Sequence, residues 1–150
     1  MSLEDFTYHC DAEFESGQFG KCVMYLSPDN EVRFAIGKIN PVLLARVDTS
    51  PELARNFFQR DMQDVVELHR YTYRDIPSER VHRKLGGGAY LVRSDETVVV
   101  DFESGDFGKM HLGLATRCLE TKGLTIEIVD DKYWDKRTPV EYLEAKMKRS

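Results

Sequence analysis

The hydrophobic period of this chain switches from two to about 3.6 residues and back, and that switching constrains its fold more than any single residue does. Val32, Phe34 and Ile36 alternate with Glu31, Arg33, Ala35 and Gly37, as a strand with one buried face requires. SPDN at 27–30 supplies turn residues, so 21–27 and 31–39 are expected to pair as a hairpin. Asn40-Pro41 punctuates, and VLLARV at 42–47 reads as a further strand or an extended lead into a helix. Ser50-Pro51 then opens a helix, because serine caps free N–H groups and proline at the first helical position lacks a donor that would go unpaired. Ala54, Phe57, Phe58, Met62, Val65, Val66 and His69 follow at steps of three and four, which predicts a helix over 51–69 with one face on a sheet.

Strand periodicity returns in VHRKLGGGAYLVR and ETVVVDF, two extended runs separated at Ser94-Asp95. Glycines 86–88 interrupt the first, which predicts a bulge or a close backbone approach. Residues 109–121 read as a helix closed by Gly123 as a left-handed cap, and Leu124, Ile126 and Ile128 resume a strand. Thr138-Pro139-Val140-Glu141 has capping-box spacing and opens a short C-terminal helix over 139–148. Helices and strands mix without a strict βαβ rhythm. The expectation is one α+β domain over 1–150, with a mixed sheet of about six strands, two main helices and the short terminal one.

At 150 residues the chain is long enough for one core. Its net charge of −5 argues against a general nucleic-acid binder, which would show a basic face. The densest basic run, Arg80, His82, Arg83 and Lys84, reads as a solvated strand face. Cys10, Cys22 and Cys118 form neither a disulfide framework nor a CxxC metal site, and His9-Cys10 lacks further ligands at sensible spacing, so no metal or cofactor is expected. A reducing cytoplasm suits these thiols, and neither a membrane span nor a signal peptide is legible.

One motif is written twice. FESGQFGK at 14–21 and FESGDFGK at 102–109 differ only at Gln18 and Asp106. The first copy runs into an apolar strand (KCVMYL) and the second into a helix (KMHLGLATRCLE), so the shared element must be the bend itself. Paired glycines let backbone N–H groups converge on an anion, and in the second copy a helix N-terminus adds its dipole. Ser104 supplies a hydroxyl, and Lys109 and Lys21 supply charge if both loops meet at one site. In the structural alternative, Phe14, Phe19, Phe102 and Phe107 are core anchors and the glycines only serve turns. Glu15, Glu103 and Asp106 oppose an anion unless they point away.

Taken together, SGQFGKCVMYL, LGGGAYLV and FESGDFGKMHLGLA, in that order over about residues 14–130, resemble the Janus family of phosphohistidine-phosphatase-like proteins. The resemblance implies a Janus-like core, with Lys21 as active-site lysine and Ser104, Gly105 and the backbone of Asp106 as phosphate loop; Gly108 and Lys109 join the candidate phosphate-binding residues from the reading of the repeat itself. It also implies a glycine segment at Leu85–Gly88, followed here by Ala89 where the family has arginine. The histidine that the family places near the start of its first helix has no counterpart at 46–53. His111 and His82 are then the candidate proton carriers, with Asp48 behind them, although His111 shares a helical stripe with Leu114, Ala115 and Cys118 that reads as burial. The expected function is binding of a phosphate-bearing small molecule or protein, extending to a phosphatase. The alternatives are a noncatalytic phosphate-recognition module and an interaction protein with no anion site.

Overall fold

The computed structural model describes residues 1–36, 50–59, 76–101, 110–129 and 136–148. Its elements are β1 (Thr7–Cys10), β2 (Phe19–Leu26), β3 (Glu31–Ile36), α1 (Pro51–Gln59), β4 (Arg83–Val92), β5 (Thr97–Asp101), α2 (Leu112–Glu120), β6 (Thr125–Ile128) and α3 (Pro139–Met147). All six strands belong to one sheet in the order β1-β3-β2-β4-β5-β6. The outermost pairs, β1 with β3 and β5 with β6, are parallel, while the central pairs are antiparallel. The fold is α+β with a mixed sheet.

The expected hairpin forms between β2 and β3, with Tyr25 opposite Arg33. Ser27 Oγ holds its turn by accepting from the N–H groups of Asp29 and Glu31, and Asn30 takes a φ of 59°. Ser50 Oγ accepts from the Leu53 N–H at the start of α1, as the Ser-Pro pair predicts. Thr138 Oγ1 does the same for Glu141 at the start of α3. Gly123, at φ +71°, closes α2. The run at 42–47 and the second half of the 51–69 helix lie outside the described residues. Strand β1 has no counterpart among the sequence expectations: four residues without a turn signal give periodicity too little to count.

Alternation on β2 assigns the two faces of the sheet. Cys22, Met24 and Leu26 pack with Leu114, Ala115, Cys118 and Leu119 of α2 and with Tyr142 and Leu143 of α3. Phe19 points to the other face and packs with Ala54 and Phe58 of α1 over Ala89, Leu91 and Val99. The sheet is thus a wall between α1 and the α2–α3 pair. Any site on one face is closed to side chains on the other.

The glycine run is both a bulge and a close approach. Tyr25 pairs with Lys84 and Met24 with Gly86, so Leu85 is the extra residue, and Gly86 beside it adopts φ +128°. Helix α3 packs against β4, where the Tyr142 hydroxyl donates to the Leu85 carbonyl. Tyr142→Phe removes that donor from a buried acceptor, with an expected loss of about 1–3 kcal/mol. A urea midpoint shifted at constant slope is the check, and an unchanged midpoint would mean the bulge carbonyl finds another donor.

Candidate functional site

The first octapeptide copy is a braced turn. Gln18 N–H donates to Glu15 O at 2.9 Å and Gly17 sits at φ +84°, the positive angle that the third residue of a type II turn requires. Gly17 N–H donates to Val92 O at 2.8 Å, and Glu15 N–H donates to the side-chain Oε1 of Gln18 at 2.9 Å. These N–H groups therefore have partners within the protein, which corrects the expectation that this copy offers them as an anion nest. Phe14 packs edge-on to Tyr90 at 5.5 Å, and Phe19 packs edge-on to Phe57 at 4.9 Å on the other face. For this copy the structural alternative describes what the turn does, and the exposed Glu15 stays at it.

Lys21, the last residue of that copy, has a different position. It is half-buried in β2 on the α1 face, between Phe19 and Val23. Its Cα partner on β4 is Ala89, whose partner on β5 is Asp101. Lys21, Ala89 and Asp101 thus form one cross-strand row on one face. No ion pair joins Lys21 to another described residue. Asp101 is buried, at 5% exposure, and immediately precedes the second copy. Lys21, the end of the first copy, and Asp101, the residue before the second in sequence, are therefore separated by the single strand β4. Ser104, Gly105, Asp106, Gly108 and Lys109 themselves lie outside the described residues, as does Asp48.

The two candidate histidines do not join this row. His111 is the N-cap of α2 and is 6% exposed. Its Nδ1 accepts from the Leu114 N–H at 3.3 Å and its Nε2 lies 2.7 Å from the Arg137 carbonyl oxygen, which fixes the tautomer with the proton on Nε2. Its ring lies 5.2 Å from that of Tyr142, on the α2–α3 side of the sheet. The predicted burial of the stripe His111, Leu114, Ala115 and Cys118 is what the structure contains. His82 is exposed, and its N–H donates to Leu26 O at the far end of β2. Leu26 is five residue steps along the strand from Lys21, or about 17 Å.

Thiol chemistry is closed as well. Cys22 follows Lys21 but points to the opposite face, where burial pushes its thiol up to about 12 despite the lysine. Cys118 is likewise pushed up to about 12 by burial. Both stay protonated and poorly nucleophilic at neutral pH. Among the described residues no group of three or more His, Cys, Asp or Glu is placed to hold a metal ion. No described helix is long and apolar enough to cross a membrane.

Comparison of the chain with protein-family models, with curated proteins and with solved structures returns no significant match. The functional reading therefore rests on the row itself. Asp101 is the residue that sequence reasoning missed. Its signal was a lone carboxylate closing the apolar run VVVDF, one residue before the repeated motif.

Proposed function

We propose that this chain binds a phosphate-bearing small molecule or protein, or another small anion, on the α1 face of its sheet at the row of Lys21, Ala89 and Asp101. The supporting observation is strand register: Lys21 pairs with Ala89 and Ala89 with Asp101, so the residue that precedes the second octapeptide in sequence shares a cross-strand row with the lysine that ends the first. In this reading the Ser104 hydroxyl and the amides of Gly105, Asp106 and Gly108 take phosphate oxygens, and Lys21 and Lys109 balance their charge. Recognition without turnover is the preferred form, because His111 is committed to two hydrogen bonds behind the sheet and His82 lies at the far end of β2. A phosphatase of the phosphohistidine type is the second reading, favoured by the order of the three motifs along the chain, and it needs another proton carrier.

The test is inorganic phosphate titrated into the full chain and into Lys21→Ala. A charge-assisted hydrogen bond contributes roughly 1.5–3 kcal/mol, so the variant should bind at least about tenfold more weakly. Its unfolding temperature should stay near that of the parent, since the ammonium has no ion-pair partner among the described residues. Saturable binding that survives Lys21→Ala unchanged would place the anion elsewhere, and no saturable binding in the parent would remove the proposal.

A further inference from the structure

We draw no further inference here: the strongest candidate, the cavity of about 740 Å³ lined by Tyr25 and Arg33 of the β2–β3 hairpin, rests on an acidic cluster in which Asp11 and Glu31 already hold Arg33, and no unpartnered buried side chain among the described residues lines it and points to a ligand.

Discussion

Replacing His111 by alanine is expected to destabilise the protein by about 2–4 kcal/mol, combining a lost helix cap with a buried acceptor left unpaired, and to leave phosphate affinity unchanged. Both ring nitrogens hold backbone: Nδ1 accepts from Leu114 N–H and Nε2 donates to Arg137 O, so one side chain joins the first turn of α2 to the segment leading into α3. The surroundings are built to this ring. A Cβ on Gly113 would come within 3.0 Å of the His111 Cε1, and the Tyr142 ring lies 5.2 Å from the imidazole. His111→Asn is the informative control, since its oxygen stands where Nδ1 does and keeps the cap but cannot reach Arg137. Its urea midpoint should fall between those of the parent and the alanine variant. Abolished phosphate binding at parental stability would return His111 to the site and contradict the position described for it.

Making the two octapeptides identical by Gln18→Asp should cost about 1–3 kcal/mol, from one hydrogen bond lost and a carboxylate placed in a buried position. Gln18 reaches back to the Glu15 N–H and is 9% exposed. Aspartate is one methylene shorter and brings a charge. Gln18→Glu separates the two causes, because it restores the reach and retains the charge. If Gln18→Asp unfolds at the parental midpoint, the turn does not depend on this brace. The single difference between the copies would then carry no structural meaning.

Much of this fold was legible because local chemistry and burial agree in it. Ser50-Pro51 and Thr138-Pro139 mark helix starts through capping, and both hydroxyls do cap. Val32 and Phe34 alternate with Arg33 because one face of β3 is core. The LGGG run announced a bulge, and Gly86 supplies the positive φ it needs. Strand β1 was not legible, since its four residues are fixed by parallel pairing with β3 rather than by their own pattern.

The site was only partly legible, for a different reason. Periodicity places Lys21 on a strand but says nothing of which strand lies beside it, and the row with Ala89 and Asp101 exists only through pairing across more than sixty residues. For the same reason a glycine turn that reads as an anion nest proved to have its N–H groups engaged by Val92 and by Gln18. His111 gave two signals, proximity to the motif and membership of an apolar stripe, and the stripe describes its surroundings.

The central claim is that the first copy divides into two tasks, a braced turn at Glu15–Gln18 and, through Lys21, an anion site in the row with Ala89 and Asp101. Backbone amide shifts followed during a phosphate titration test it most directly. The account predicts saturable shifts at Lys21, Ala89 and Asp101, and at Gly105 and Gly108 of the second copy, with Gly17 and Gln18 unmoved. Saturable shifts centred on Gly17 and Gln18, with Lys21 and Asp101 silent, would contradict it.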